Sequence, residues 1–195
     1  TRFIFSGEDN YRIIDRITTL TASKTHVLFR DSKEGMLAVR VARELEQPSD
    51  EPVTVLNENL ERVRIDPQKD NLPSGKYQNS EGQTGDEVWG KRAHWVKLAG
   101  TMQGQPVGIV IMDHPDNPNH PSHWHARGYG LFGVNPFGSK AYTDGRENFN
   151  FFLGQNEQVI LKYRILIYDS SEPETSVLNQ QYDTFVNTYK EEDNE

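Results

Sequence analysis

The alternation of apolar and charged residues near the end of the chain most constrains the fold. Residues 158–168 read QVILKYRILIY, and alternate side chains of a strand point to opposite faces. This period places Lys162 and Arg164 on one face and an apolar row on the other, made of Val159, Leu161, Tyr163, Ile165 and Ile167. The segment VGIVIMD at 107–113 is almost continuously apolar, which is typical of a strand covered on both faces. These segments predict a sheet.

The expected fold class is mainly β, an antiparallel β-sandwich with one C-terminal α-helix. Residues 172–190 are predicted to form that helix, because Leu178, Tyr182, Phe185 and Tyr189 recur at helical spacing. The segment 46–85 is rich in Pro, Gly, Asn and Asp, so we expect a loop-rich insertion with one short strand near LERVRI. The length of 195 residues suits one domain, and we expect a single β-sandwich domain over residues 1–195.

Charge and composition exclude several classes of function. The net charge of -8 disfavours nucleic acid, which is bound through basic patches. No apolar run approaches the roughly 20 residues that span a bilayer, so we expect no membrane partner. The chain has no cysteine, which excludes disulfides and thiolate metal sites. It begins with Thr1 rather than Met, and we expect it to be a processed or partial product.

The segment DHPDNPNHPSHWHARGYGLFGVNPFG at 113–138 contains four histidines and four prolines. Proline removes backbone donors, so the first half is expected to be an ordered loop rather than helix or central strand. Three interpretations remain open. The histidines are structural; or they bind a metal, with His123 and His125 on one side of extended backbone and His120 or His114 as third ligand; or they belong to a site for a polyhydroxylated ligand.

The third interpretation needs groups that transfer protons and groups that hold hydroxyls. Histidine and carboxylate exchange protons near neutral pH, and Glu34 and Glu81 each lie beside a glycine on a predicted turn or strand end. Arg127 offers a planar fork of donors, and Trp124 or Tyr129 offers an apolar face to a sugar ring. Trp89 either stacks on a ring or fills the core. Spacing does not decide between these interpretations.

The motifs DSKEGM, NSEG, VWGKRAHWV, LKYRILIYD and the histidine segment resemble the PmoA-like ("methane oxygenase") family, which has no established function. The resemblance implies a β-sandwich similar to the galactose-mutarotase and sugar-hydrolase supersandwich proteins, in bacteria that degrade polysaccharides. The polar sequence does not support a genuine methane monooxygenase. The family's motif positions here are Lys33, Glu34, Glu81, Trp89, Asp113, His114, Trp124, His125, Arg127 and Asn135. His120 and His123 fall at more variable positions, which weakens the metal interpretation.

The resulting expectation is a carbohydrate-active protein, a glycoside hydrolase or a mutarotase-like enzyme, that needs no cofactor. His125 or His114 would act as general acid and Glu34 or Glu81 as base. The expected substrate-binding residues are Arg127, Trp124, Lys33, Trp89, Asn135 and Tyr129. The alternatives are a noncatalytic sugar-binding module and a metal-dependent enzyme using His120, His123 and His125. The resemblance further implies a periplasmic or secreted protein that forms a homo-oligomer or pairs with an upstream N-terminal portion.

Overall fold

The computed structural model describes residues 1–8, 11–66, 72–169 and 171–192. Within these ranges the chain forms antiparallel strands followed by one long helix, α1 (Thr175–Glu192). The strands in chain order are β1 (Arg2–Glu8), β2 (Tyr11–Thr21), β3 (Val27–Phe29), β4 (Leu37–Arg40), β5 (Val53–Leu56), β6 (Arg62–Ile65), β7 (Lys76–Asn79), β8 (Trp95–Met102), β9 (Gln105–Asp113), β10 (His123–Arg127), β11 (Leu131–Asn135), β12 (Phe151–Leu153) and β13 (Gln158–Tyr168).

A six-stranded sheet in the order β1-β2-β13-β9-β8-β7 forms the middle of the structure. The predicted strand at 158–168 is confirmed as β13, which lies inside this sheet between β2 and β9. Beside it lie a three-stranded sheet, β10-β11-β4, and a two-stranded sheet, β12-β3. Every pairing is antiparallel among the described strands.

The main core lies between the six-stranded sheet and the smaller sheets. Alternate residues of the large sheet, including Val96, Leu98 and Ile111, are fully buried and pack against residues of the small sheet, including Trp124 and Phe132. Apolar faces of facing sheets interdigitate in this way in β-sandwiches. The expected fold class, an antiparallel β-sandwich with one C-terminal helix, is therefore confirmed.

Helix α1 covers the other face of the six-stranded sheet. Its residues Leu178 and Phe185 pack on Trp95, Val110 and Met112, which alternate with the residues of the main core. The helix spans Thr175–Glu192 rather than 172–190. No described helix is long and apolar enough to cross a membrane.

The charged face of β13 lies under this helix and is buried. Arg164 donates from Nε and one Nη to the two carboxylate oxygens of Asp15, at 2.7 and 2.8 Å. Tyr189 of α1 donates to the same carboxylate at 2.9 Å. Lys162 lies 3.0 Å from Asp116. A buried charge is stable only when it is paired, so these ion pairs allow the helix to cover a polar row.

The segment 46–85 contains more regular structure than its composition predicts. The short strand near LERVRI is present as β6, but it pairs with β5 in a local hairpin, and β7 pairs with β8 at the edge of the large sheet. The expectation of a single strand is therefore wrong for this segment. The part of the predicted insertion at 67–71 lies outside the described residues.

Candidate functional site

Strand β10 carries three of the candidate or neighbouring polar side chains on its outward face. His123, His125 and Arg127 alternate with Trp124 and Ala126, and the latter two are buried in the main core. His125 is paired with Gly133, which is paired in turn with Ala38, so small residues surround the imidazole on the sheet surface. The outward face of the β10-β11-β4 sheet therefore has only small residues next to His125 on these neighbouring strands.

The loop at 31–36 lies over this outward face and brings Lys33 and Glu34 beside His125. Asn135 donates to the Ser32 carbonyl at 2.7 Å, and the Tyr142 hydroxyl donates to the Lys33 carbonyl at 2.6 Å. The side chains of Asn135, at the end of β11, and Tyr142, in the loop at 139–149, therefore fix the loop at 31–36. Lys33 and Glu34 themselves are largely exposed, and their charged groups lie 3.8 Å apart.

The environment of His125 favours the neutral imidazole. Burial lowers its pKa, while the negative charge of Glu34 and a hydrogen bond to the Lys33 backbone oppose that shift. The Tyr142 ring stands edge-on to the imidazole, with ring centres 6.1 Å apart. A neutral imidazole keeps one nitrogen lone pair, so His125 is suited to accept a proton.

His123 lies deeper in the same face. Its Nδ1 donates to the Gly90 carbonyl at 2.8 Å, and its ring stacks on Tyr142 with centres 5.1 Å apart. Burial lowers the pKa of His123 and raises the pKa of Tyr142 to about 12. Burial therefore favours the neutral form of both rings, and the stacked pair forms a wall behind His125.

A groove of about 1040 Å³ begins where β10 ends. The Arg127 guanidinium contacts two aromatic rings, with its central carbon 5.4 Å from the centre of Trp89 and 5.7 Å from the centre of Tyr129. Polar groups of Arg43, Glu46, Gln47 and Asp86 also line the groove. The edge of Trp89 meets Tyr142 with ring centres 5.6 Å apart, so a continuous series of rings joins the groove to His125.

Asp31 and Arg92 hold the loop at 139–149 against this site. The Asp31 carboxylate accepts hydrogen bonds from the backbone N–H groups of Ser139, Lys140 and Phe149. Arg92 contacts Glu147 of the same loop at 3.1 Å and also donates to the Asn119 and Pro121 carbonyls, both at 2.8 Å. This loop carries Tyr142, so both residues position the wall behind His125.

The model of a family of unknown function, DUF6807, matches residues 1–183. The chain belongs to this family. No curated protein and no solved structure matches it.

The structure brings together most of the site residues predicted for this DUF6807 member. Those that converge on the outward face or the groove are Lys33, Glu34, Trp89, His125, Arg127, Tyr129 and Asn135. Among them Asn135 is fully buried, and its amide holds the Ser32 and Phe137 backbones, so it positions the loop.

Three predicted residues lie elsewhere. Trp124 is fully buried in the core, where its indole donates to the Ala93 carbonyl at 2.9 Å. His114 is fully buried under α1, with its ring 5.1 Å from that of Phe185. Glu81 lies in the turn after β7, where its carboxylate accepts a hydrogen bond from the Ser80 hydroxyl at 2.8 Å.

The histidines of the 113–138 segment therefore do not lie in one site. The expectation that they belong together to a site for a polyhydroxylated ligand is corrected. His114 and His120 lie toward α1, whereas His123 and His125 lie on the outward face of the small sheet. Within the described residues, no group of three or more His, Cys, Asp or Glu side chains is arranged to hold a metal, and this includes the set His120, His123 and His125.

Sequence reasoning missed Tyr142, Asp31 and Arg92. Asp31 stands in the motif DSKEGM, two positions before Lys33, and Arg92 stands in VWGKRAHWV. Tyr142 gave no signal, because it contacts Lys33 across 109 positions of the chain. Periodicity reports which face a residue occupies within one element and does not report contacts between distant loops.

Proposed function

We propose that the groove at the end of β10 binds a carbohydrate. The observation that carries this proposal is the cluster of the Arg127 guanidinium with the Trp89 and Tyr129 rings. Tyr129 is 49% exposed although Arg127 and Arg40 lie over its ring, so it still offers apolar surface to a sugar. The Arg127 guanidinium donates to hydroxyls in a fixed plane. The carboxylates of Glu46 and Asp86 add acceptors on the same wall. The resemblance to PmoA-like and supersandwich proteins supports the same class of ligand.

We further propose that the bound sugar extends from the groove past Trp89 and Tyr142 to the outward face of the small sheet, where His125 exchanges a proton with it. The lowered pKa of His125 suits it to accept a proton, so it acts as general base rather than as general acid. The negative charge of Glu34 would then stabilise the imidazolium that forms. In a mutarotase-like ring opening the base takes the proton of the anomeric hydroxyl while the bond between the anomeric carbon and the ring oxygen breaks, and the ring oxygen takes a proton from the water that reaches this open site.

A noncatalytic sugar-binding module is the second candidate. The Lys33 and Glu34 side chains are 61% and 69% exposed, so water reaches the charged partners of His125. Enzymes usually exclude water from groups that exchange protons, and this openness favours a site that binds without reacting.

The first experiment tests binding by titrating the protein with neutral and acidic mono- and oligosaccharides in a calorimeter. Arg127→Ala and Tyr129→Ala truncate exposed groove residues, and each is expected to weaken binding by at least about tenfold, as is common for anchoring side chains. Phe152→Ala removes an equally exposed aromatic ring outside the groove and is expected to have no effect. Sugar binding that survives both groove substitutions would disprove the location of the site.

The second experiment separates the two candidates. His125→Gln keeps the size and one polar nitrogen but cannot accept a proton at neutral pH. If the protein is an enzyme, His125→Gln still binds the sugar, but the rate of anomer interconversion returns to the uncatalysed rate. That rate is followed by polarimetry or NMR. If the native protein binds the sugar and does not change this rate, the protein is a noncatalytic sugar-binding module.

A further inference from the structure

A second polar cluster, outside the groove, lies where the β8–β9 hairpin meets helix α1. It consists of His94, which immediately precedes β8, His120 from the proline-rich loop, and Tyr182 from α1. The distance from His94 Nδ1 to His120 Nε2 is 3.2 Å, and the Tyr182 hydroxyl lies 3.2 and 3.4 Å from these two nitrogens. Three potential ligand atoms thus form a nearly equilateral triangle.

The contact with Asp113 directs the other nitrogen of His120 at the triangle. His120 Nδ1 lies 3.0 Å from a carboxylate oxygen of Asp113, which only accepts, so Nδ1 donates and Nε2 faces His94 and Tyr182. The two imidazole nitrogens and the Tyr182 oxygen each offer a lone pair in their unprotonated forms. One ion bound by all three atoms would account for the three short separations at once.

We propose that His94 Nδ1, His120 Nε2 and Tyr182 Oη bind a divalent transition-metal ion, with zinc as the expected ion. Bonds of 2.0–2.1 Å in tetrahedral geometry place two ligand atoms about 3.3 Å apart, and the three observed separations of 3.2, 3.2 and 3.4 Å match that spacing. Imidazole nitrogens are preferred ligands of zinc and its neighbours in the periodic table.

The surroundings of His120 are those of a metal ligand. Metal-binding imidazoles commonly donate their second nitrogen to a carboxylate, which fixes the tautomer and directs the free lone pair at the ion. Asp113 makes this contact and is itself fully buried. It is held in place by the Asn117 amide at 2.7 Å and the Ser122 backbone N–H at 2.8 Å. His120 is therefore oriented before any ion arrives.

The geometry also leaves a coordination position for water. His94 is exposed, and three protein ligands occupy only three corners of a tetrahedron. The proposed centre shares no residue with the groove or with His125. A tyrosine supplies the third ligand, which is consistent with the absence of any three-membered His, Cys, Asp or Glu group among the described residues.

The test is a titration of the metal-free full chain with Zn²⁺ in a calorimeter, repeated with Co²⁺ to follow its visible absorption. We expect one equivalent to bind, with the absorption spectrum of tetrahedral Co²⁺. His94→Gln and Tyr182→Phe each remove one ligand atom and retain side-chain volume, and each is expected to weaken zinc binding by more than tenfold. Asp113→Asn is expected to weaken it by about 10- to 100-fold, as for other carboxylates behind ligand histidines.

Controls distinguish this centre from adventitious binding by surface histidines. His26→Gln removes an exposed imidazole that stacks on Phe152, 5.4 Å away, and is expected to bind zinc like the native chain. His123→Gln tests the other histidine-containing set and is expected to have no effect. The proposal is wrong if the native protein binds no stoichiometric zinc, or if His94→Gln and Tyr182→Phe both bind it with native affinity. Circular dichroism of each variant verifies that the fold is retained.

Discussion

Replacing Asp31 with alanine tests whether a single carboxylate holds the loop at 139–149 beside the site. Three backbone N–H groups donate to this carboxylate, with distances of 2.9 Å from Ser139, 3.1 Å from Lys140 and 2.7 Å from Phe149. Hydrogen bonds to charged groups contribute about 1.5–3 kcal/mol each. The Lys140 contact is exposed, so water replaces it at little cost, and the other two are partly buried. We therefore expect Asp31→Ala to lower the free energy of unfolding by about 3–5 kcal/mol.

The assay is urea unfolding followed by tryptophan fluorescence, since Trp89 contacts Tyr142 of the same loop. Asp31→Asn keeps one acceptor oxygen and loses the charge, so it is expected to cost about half as much. Glu34→Ala is the matched control, because that carboxylate is 69% exposed and its ion pair with Lys33 is open to water. It is expected to cost less than about 1 kcal/mol. A loss below 1 kcal/mol for Asp31→Ala would refute the reasoning.

Three further predictions concern the packing under α1 and beside the site. Asp15→Asn leaves the buried Arg164 without a neutralising partner and is expected to cost about 3 kcal/mol in urea unfolding; an effect as small as that of a surface pair contradicts this. Gly35→Ala places a Cβ atom 2.6 Å from the Val134 carbonyl, so thermal unfolding should show a loss of about 1–3 kcal/mol, and an unchanged Tm would count against it. Burial lowers the pKa of His114 below its unfolded value. The free energy of unfolding that depends on the neutral form of His114 is therefore fully present above about pH 6.5 and is lost as the pH falls, by at most about 1.4 kcal/mol per pH unit. His114→Gln should reduce that slope between pH 6.5 and 5, and an identical slope would show that His114 is not responsible.

The layers of the fold follow from patterns that the sequence displays openly. Alternation in 158–168 and the apolar run at 107–113 identify the centre of the large sheet, and helical spacing identifies α1. The pattern does not report what covers each face. Lys162 and Arg164 occupy the face opposite the apolar row, as predicted, but are buried there because Asp15 and Asp116 neutralise them. Strands β5 and β7 were expected to be loop, because the residues around them favour turns.

The site was partly predictable for the same reason. Residues two apart on a strand share a face, which places His125 and Arg127 together and turns Trp124 toward the core. Grouping Trp124 with them overlooked that period. Contacts that join distant loops, such as Tyr142 with Lys33, depend on how whole sheets pack, and no local pattern encodes them. The same limit concealed the meeting of Tyr182 with His94, which are 88 positions apart.

The histidines of the 113–138 segment lie in two separate places because the segment crosses from the large sheet to the small sheet. It leaves β9 in the large sheet, next to α1, and enters β10 in the small sheet, and Arg92 fixes the crossing at Asn119 and Pro121. The histidines before the crossing lie beside α1, and those after it lie on the outward face of the small sheet. Substitutions at well-separated, independent positions have additive free energies. His94→Gln combined with His125→Gln should therefore change zinc affinity and sugar turnover as the single variants do, within about 0.5 kcal/mol. A larger coupling between the two readouts would show that the segment works as one site after all.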